Sequence, residues 1–202
     1  MTKCRLIHTQ LSENVFIKRK LYFEKNIHGM IWELWNGKTL KDGRPFIYRI
    51  VDNNLMILCN NEYPIETTDL EWMNGHRMSE REINFNGMYS YEIKVNPIIK
   101  KDNEMDSSKR KAVPLKNDND VKKWWEKKGQ NYGFKIVNNL FSVTNKSQSV
   151  IDPNRSIILY RVTISGVLEV TNPDVFNKRF VKGFGGKGNY GCGLMMLKGK
   201  YN

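Results

Sequence analysis

The 202-residue sequence predicts an α+β protein made of two tandem ferredoxin-like units, each with the element order β-α-β-β-α-β. Apolar residues follow the same succession of period-2 and period-3.6 patterns in residues 1–86 and in residues 87–202. The composition is 40% hydrophobic and 11% aromatic, which is enough to bury a core. We therefore predict two domains, 1–86 and 87–202, with the topology of RNA-recognition modules.

The first half begins with an apolar strand and a helix. The strand is CRLIHTQL, residues 4–11. In residues 24–35, apolar side chains recur every third or fourth position, which is the spacing of one face of a helix. The residues on that predicted core face are Ile27, Met30, Ile31 and Leu34.

A hairpin, a second helix and a closing strand complete the first half. Residues 46–60 are two apolar runs around the Asp-Asn-Asn sequence at 52–54, which favours a tight turn between strands. Residues 66–73 can start a helix, and residues 81–85 are the closing strand.

The second half repeats this order. Residues 88–99 alternate strictly between apolar and polar side chains, which predicts a strand. Residues 117–129 predict a helix with Asn and Asp caps and with Gly129 as its C-terminal stop.

The remaining elements of the second half are two strands, a helix and a final strand. Residues 132–143 and 156–170 are predicted strands, joined by a polar loop at 144–155. Residues 172–183 are the predicted helix. They begin with Asn172 as the N-cap and Pro173 at the first helical position, and they end at Gly183. Residues 192–198 are the final strand.

The chain carries a large excess of positive charge. Thirty-three Lys and Arg against twenty-one Asp and Glu give a net charge of +12. An excess of this size is typical of a protein that binds a polyanion, and nucleic acid is the commonest polyanion. The alternative is a charge that serves solubility alone.

Other functional classes have little support. No run of 18 apolar residues and no signal-peptide pattern occurs, so we expect a cytoplasmic protein without a membrane partner. Cys4, Cys59 and Cys192 each lie in an apolar run and are expected to be reduced core residues. The spacing of cysteine and histidine residues does not match a metal site, and we expect no metal.

The stretch GFGGKG, residues 183–188, fits the G-x-G-x-x-G dinucleotide fingerprint. That fingerprint requires a βαβ unit of about 30 residues, whereas the residues after Gly188 read as a short strand. We therefore expect no nucleotide cofactor. Repeated glycines allow tight turns and bring backbone amides against a neighbouring surface or a phosphate.

Residues 183–198 resemble the C-terminal glycine-rich signature of the CRISPR-associated RAMP superfamily, in particular that of the CasE family. That family ends with G-x-G-x-x-x-x-x-G-x-G-L. The matching residues here are Gly183, Gly185, Gly191, Gly193 and Leu194. Three further blocks resemble the family in the same order along the chain, at 28–35, 91–100 and 109–115.

Two positions depart from the family pattern. Gly188 stands where the family usually has Lys or Arg, and Lys187 lies one residue earlier. Lys25 stands where the family often has a tyrosine, and the nearest tyrosine is Tyr22.

The resemblance implies a metal-independent endoribonuclease that processes CRISPR pre-crRNA. It implies attack by a ribose 2′-OH, which leaves a 2′,3′-cyclic phosphate, and a crRNA hairpin that stays bound within Cascade together with other Cascade subunits. A non-catalytic RNA-binding or structural subunit of the same fold is the alternative.

His28 is the candidate catalytic residue, because a histidine that titrates near about pH 6.5 suits proton transfer near neutral pH. Tyr22 could orient the 2′-OH or donate a proton, and Lys25 could neutralise the phosphate during the reaction. The alternatives are a histidine packed on tryptophan, a packing tyrosine and a solvated lysine.

Three stretches form the predicted RNA-binding surface. They are the basic segment 98–116, which we predict to be a loop, the loop 144–155, and the glycine loop that begins at Gly183. Lysine and arginine side chains there suit the backbone of an RNA stem. The candidate RNA-binding residues are Lys100, Lys101, Lys109, Arg110, Lys111, Lys116, Lys146, Arg155, Gly185 and Lys187.

Overall fold

The computed structural model describes residues 2–35, 44–60, 70–73, 75–103, 106–152 and 157–201. In the first half, these residues form β1 (Thr2–Gln10), α1 (Glu13–Lys18), α2 (Glu24–Trp32), β2 (Phe46–Val51), β3 (Asn54–Asn60) and β4 (Arg77–Ile83). In the second half, they form β5 (Gly87–Val95), β6 (Ile98–Asn103), β7 (Asp106–Pro114), α3 (Asp118–Tyr132), β8 (Phe134–Ile136), β9 (Ser142–Asp152), β10 (Ile157–Val170), α4 (Pro173–Lys182) and β11 (Met195–Lys200).

Each half forms an antiparallel sheet with the strand order of a ferredoxin-like unit. The first sheet has the order β2-β3-β1-β4. The second has the order β11-β5-β10-β8, and β9 pairs with β10 as well. In both sheets the first and third strands of the unit lie in the centre, which confirms the predicted tandem fold class. The division into domains 1–86 and 87–202 stays a prediction.

Local sequence signals account for the helices of the first half and for its hairpin. The four residues of the predicted α2 core face are all buried, and none is more than 5% exposed. The turn between β2 and β3 places Asp52 and Asn53 at positive φ, 47° and 62°. Both residues of a type I′ turn have positive φ, so this hairpin prediction is confirmed. Helix α1, which was not predicted, begins after Ser12, whose Oγ accepts a hydrogen bond from the Val15 amide.

Helix α4 has the predicted bounds, but α3 ends later than predicted. Asn172 caps α4 by accepting a hydrogen bond from the Val175 amide at 3.2 Å. The prediction that Gly129 stops α3 is wrong, because the helix continues to Tyr132 and Gly133 ends it in the left-handed region at φ 78°. Gly129 instead lies inside the helix against β8.

Two predicted loops are strands. The basic segment 98–116 contains the β6–β7 hairpin, and most of the polar segment 144–155 belongs to β9. A two-stranded ribbon and an edge strand need no buried face, so their sequences lack the apolar alternation that reveals a strand. The loop predictions for 98–114 and 144–152 are therefore wrong.

Several element predictions differ at their ends, and one lies partly outside the described residues. Of the predicted helix 66–73, residues 66–69 are not among the described residues, and Glu71–Met73 form a single 3-10 turn. Strand β4 begins before the predicted segment 81–85, and β11 begins three residues into the predicted strand 192–198.

The buried side chains form one core within the first half and one shared by both halves. The first lies between α1, α2 and one face of the first sheet. The second joins the other face of that sheet, through Ile47 and Leu58, to the core of the second half. All three cysteines are buried and reduced. Among the described helices, none is both long and apolar enough to cross a membrane.

Two glycine-to-alanine substitutions should have opposite effects on stability. Gly29 lies in α2, and no atom of the described residues lies within 4 Å of an added Cβ, so Gly29→Ala should stabilise the fold by about 0.5–1 kcal/mol. At Gly129 an added Cβ would lie 2.6 Å from the Phe134 carbonyl oxygen, so Gly129→Ala should destabilise it by about 1–3 kcal/mol. Urea unfolding of both variants measures the difference. If Gly129→Ala is as stable as the parent, the packing of α3 on β8 is wrong.

Candidate active site and nucleic-acid interface

Strand β2 contacts both halves of the molecule. Its first four residues are buried. Phe46 and Tyr48 belong to the core of the first half, whereas Ile47 belongs to the shared core. Arg49 forms a buried ion pair with Glu92 of β5. Successive residues of a strand point to opposite faces, so β2 serves as the contact strand between the two sheets.

The glycine loop, residues 183–194, is closed at its base and packs on β2. The Phe184 amide donates to the Gly193 carbonyl at 2.9 Å, and the Gly193 amide donates to the Lys94 carbonyl of β5 at 2.8 Å. Gly183 and Gly193 have φ of 85° and 93°. A Cβ at Gly183 would lie 2.9 Å from the Ile47 side chain, so this close approach requires glycine.

The tip of the glycine loop packs against α2, the helix that carries His28. A 3-10 turn, Gly188–Tyr190, forms this tip. The Tyr48 hydroxyl donates to the Asn189 carbonyl at 2.8 Å, which holds the tip against β2. The fold thus brings together two of the four stretches that resemble the family, 28–35 and 183–198.

His28 is half-buried among aromatic rings. Its ring centroid lies 6.1 Å from that of Trp32, edge to face, and 5.6 Å from that of Phe46. The Trp32 indole N–H donates to His28 Nε2 at 3.3 Å. Since an indole N–H can only donate, Nε2 is the acceptor, and neutral His28 carries its proton on Nδ1. Burial lowers the pKa of His28, and the positive charge of Arg44 lowers it further.

Arg44 is the neighbour of His28 that the sequence did not reveal. Its Nη1 donates to the Asn189 side-chain oxygen at the tip of the glycine loop. Its guanidinium carbon lies 5.8 Å from the centroid of the Phe46 ring. A Cβ at Gly188 would overlap the guanidinium. Arg44 follows no periodic pattern or motif, so no local signal could have identified it.

The other two candidate catalytic residues are more exposed than His28. Lys25 is exposed on α2, three residues before His28. Tyr22 precedes the helix, is 57% exposed, and stacks obliquely on Phe23 with ring centroids 4.6 Å apart. The backbone at Gly29 also faces open space. His28 is therefore reachable by a large ligand from this side of α2.

Gly185 and Lys187 lie in the glycine loop just before the turn Gly188–Tyr190, which contacts Arg44 through Asn189. Lys187 is exposed at φ 64°, and its Nζ lies 5.7 Å from the centroid of the Tyr190 ring. The Gly185 carbonyl accepts a hydrogen bond from Arg179 at 3.4 Å. Lys187 is therefore placed at the surface of the loop, close to the tip that contacts α2.

A second feature, the basic groove, lies between the β6–β7 hairpin and α3. It has a volume of about 950 Å³. Lysine side chains from the hairpin, α3 and the segment between them line it, together with a half-buried tryptophan of α3, Asp120 and apolar side chains. The lysines and the tryptophan are Lys101, Lys116, Lys123, Lys127 and Trp124. Lys123, Lys127 and Trp124 were not predicted, although lysines four residues apart on a predicted helix would lie on one face.

The remaining candidate RNA-binding residues lie around this groove or outside the described side chains. Lys100 is exposed beside Lys101, but successive strand residues face opposite sides. Lys146 on β9 pairs with Asp118 at 2.6 Å and donates to the Lys116 carbonyl at 3.0 Å. The hydrogen bond that Lys146 Nζ donates to the Asp118 carboxylate raises the pKa of Lys146. Lys109, Arg110 and Lys111 lie on β7 with side chains outside the described set, and Arg155 is not among the described residues.

Metal-binding clusters were sought in the same parts of the chain. Within the described ranges, no group of three or more His, Cys, Asp or Glu side chains is placed to hold a metal ion.

The fold defines the class: a tandem ferredoxin-like protein with a C-terminal glycine-rich loop. The family model described as "CRISPR associated protein" matches residues 1–198, and the chain belongs to this family. A search of curated proteins found no match.

Three solved structures show the same fold at low sequence identity. A CRISPR endoribonuclease Cse3 bound to a 19-nucleotide RNA is 15% identical, with a TM-score of 0.80 over 98% of this chain and 100% of that one. Thermus thermophilus Cse3, bound to an RNA that represents a pre-cleavage complex, is 16% identical, with a TM-score of 0.79 and the same coverage. A chain of a CRISPR RNA-guided surveillance complex is 15% identical, with a TM-score of 0.67 over 97% of this chain and 99% of that one.

The pKa of His28 should lie below 6.5, its ordinary value, because burial and the charge of Arg44 both disfavour the imidazolium. Substituting Arg44→Gln removes that charge and should raise the pKa of His28. Titration of the imidazole nitrogens by NMR measures both values, with His28→Asn to assign the resonance. A His28 that titrates at or above 6.5 in the parent contradicts its placement. If Arg44→Gln leaves the pKa of His28 unchanged, Arg44 does not lie close enough to His28 to affect its titration.

Proposed function

We propose that this protein is a metal-independent endoribonuclease that cleaves CRISPR repeat RNA and keeps the product hairpin bound. The observation that carries the proposal is the position of His28: half-buried, with a lowered pKa, beside Arg44 and the tip of the glycine loop. A titratable group next to a fixed cation, reachable from solvent, suits acid–base chemistry on a phosphodiester. Family membership and the fold of RNA-bound Cse3 support the same substrate class.

The proposed reaction is an intramolecular transfer at phosphorus. The ribose 2′-oxygen attacks the adjacent phosphorus, so that the O2′–P bond forms and the P–O5′ bond breaks. The products are a 2′,3′-cyclic phosphate and a 5′-hydroxyl. His28 accepts the proton of the 2′-OH, and the imidazolium so formed supplies the proton that the departing 5′-oxygen needs.

The environment of His28 sets its starting state for this role. Because its pKa is lowered, the ring is neutral near pH 7 and available as a base. In the free protein Nε2 accepts the Trp32 N–H, so the substrate 2′-OH must displace that hydrogen bond. We propose that Tyr22 and Lys25, on the open side of α2, help to orient the 2′-OH and to hold the phosphate.

RNA binding is proposed to use the basic groove and the glycine loop. The groove combines four lysines with the half-buried Trp124 ring. Lysines along a groove suit the phosphates of an RNA stem. Lys187 and the amides of the glycine loop would then contact the phosphate near the cut. Lys146, although paired with Asp118, adjoins the groove and would contribute at its end.

We further propose that the bound product stays in a ribonucleoprotein with other Cascade subunits. The support is the fold shared with a chain of a CRISPR RNA-guided surveillance complex, over almost the whole length of both chains.

A non-catalytic RNA-binding subunit of the same fold is the second candidate. The hydrogen bond from Trp32 to Nε2 favours it, because it occupies the basic nitrogen of His28. Cleavage of repeat RNA distinguishes the two candidates directly.

The substitution His28→Ala should lower the single-turnover cleavage rate by a factor of about 10² to 10⁴, the range for loss of an acid–base group. The affinity for repeat RNA should stay within a few-fold, because the basic groove lies elsewhere. The assay uses the repeat RNA of the array that accompanies the gene, with EDTA present. His8→Ala, an exposed histidine on β1, is the matched control and should cleave like the parent.

Three outcomes would contradict the proposed enzyme. One is a parent protein that does not cleave in EDTA but does so with Mg²⁺. Another is a His28→Ala variant as active as the parent. The third is cleavage that leaves products without a 2′,3′-cyclic phosphate.

The double substitution Lys123→Ala and Lys127→Ala should weaken RNA binding and reduce its salt dependence. Each lost phosphate contact lowers the slope of log K against log salt by about 0.7 to 0.9. Fluorescence anisotropy with labelled repeat RNA at several salt concentrations measures that slope. Lys178→Ala removes an exposed lysine of α4 and should leave the slope unchanged. Equal slopes for the double variant and the parent would mean that RNA does not occupy the groove.

A further inference from the structure

A guanidinium occupies the space at the tip of the glycine loop where a side chain at residue 188 would project. An added Cβ at Gly188 would overlap the Arg44 guanidinium. Arg44 is held there by the hydrogen bond from Nη1 to Asn189 and by the face of the Phe46 ring. The Phe46 ring also contacts His28, with ring centroids 5.6 Å apart. His28 and Arg44 therefore adjoin the same aromatic ring.

We propose that Arg44 is a catalytic residue of the reaction proposed above, and that its guanidinium binds the scissile phosphate and stabilises the charge that develops on it. This inference rests on the proposed function. It adds a residue outside the glycine loop and outside α2 to the candidate site.

Within the described residues, the charge of Arg44 is not paired with a carboxylate and can bind an anionic ligand. Its described hydrogen-bond partner is a neutral amide. No carboxylate among the described residues forms an ion pair with it, and its Nε is buried without a hydrogen-bond partner in that part of the chain. A planar guanidinium can donate two parallel hydrogen bonds to phosphate oxygens. A half-buried site strengthens that attraction relative to water.

The same position couples Arg44 to the protonation of His28. In the free protein, the charge of Arg44 favours the neutral imidazole, which is the form that accepts the 2′-OH proton. When a phosphate neutralises that charge, the imidazolium becomes less unfavourable. His28 can then hold the proton until the 5′-oxygen leaves.

The test removes the cation at residue 44 and introduces another at residue 188, whose side chain would occupy the same space. In single-turnover assays with repeat RNA, Arg44→Ala should cleave about 10² to 10³ times more slowly, the range for loss of one charge-stabilising donor. The affinity of Arg44→Ala for RNA is measured with repeat RNA that carries a 2′-deoxy nucleotide at the mapped cleavage site. This affinity should differ from that of the parent by only a few-fold. Gly188→Lys in the parent should also slow cleavage, because it displaces Arg44.

The combination Arg44→Ala with Gly188→Lys should be at least tenfold faster than Arg44→Ala alone, because the lysine brings an ammonium into the vacated space. Gly188 is not at positive φ, so lysine meets no backbone strain there. If Arg44 had only a structural role, adding Gly188→Lys would not raise the cleavage rate of Arg44→Ala.

A second pair of variants covers the case in which Arg44→Ala does not fold. Arg44→Lys keeps the charge and should retain more than a tenth of the cleavage rate, whereas Arg44→Gln keeps similar bulk and should not. Equal rates for Lys and Gln would overturn the proposal.

The controls separate this inference from the proposed function. If the parent cleaves and His28→Ala does not, but Arg44→Ala cleaves like the parent, only the role of Arg44 fails. If the parent does not cleave repeat RNA at all, the proposed function fails.

Discussion

The contact between strand β2 and the C-terminal glycine loop is the constraint on which the candidate site depends. Strand β2 is buried on both faces, with Phe46 and Tyr48 in one core and Ile47 in the other. The loop can approach this closely only because Gly183 has no side chain to meet Ile47. Residues at the start of β2 are thereby fixed beside both the loop and α2. Arg44 and His28, sixteen positions apart in the sequence, therefore lie beside the same Phe46 ring.

An ion pair between β2 and β5 also joins the two halves. Arg49 of β2 pairs with Glu92 of β5, and Lys198 of β11 pairs with the other carboxylate oxygen at 2.7 Å. The hydrogen bond from Lys198, more than that from Arg49, lowers the pKa of Glu92. Desolvation offsets much of the attraction in such pairs. A shifted register between the two halves, however, would leave the buried Arg49 without its carboxylate.

The cations proposed to contact RNA include two groups with different geometry. Beside His28, one arginine is half-buried and held by an amide. In the basic groove, four lysines are spread over about 950 Å³. A fixed, poorly solvated cation acts on the charge of a single phosphate, whereas flexible solvated lysines follow the backbone of a longer RNA. This division explains why the proposed chemistry and the proposed binding can be perturbed separately.

The sequence alone determined the fold class, the helices α2, α3 and α4 and the residues that line one core, because these depend on local patterns. The α2 core face, the Asp52-Asn53 turn and the Asn172-Pro173 start of α4 can each be recognised within a few residues. The strands β6, β7 and β9 could not be recognised, because ribbons and edge strands bury no alternating face. The end of α3 was misplaced because Gly129 has the signature of a helix stop, whereas the helix continues and ends at Gly133.

For the site, a motif and a resemblance selected His28 and the glycine loop, but only the tertiary structure placed them together. It also decided what surrounds them. Arg44 belongs to no sequence pattern. It lies beside the Phe46 ring, as His28 does, because β2 is buried and residue 188 has no side chain to displace the guanidinium. Lys123, Lys127 and Trp124 lie in a groove that exists only because the β6–β7 hairpin lies next to α3. Local sequence encodes which segments become helices and strands, whereas contacts across distant segments follow from the packing of a shared core.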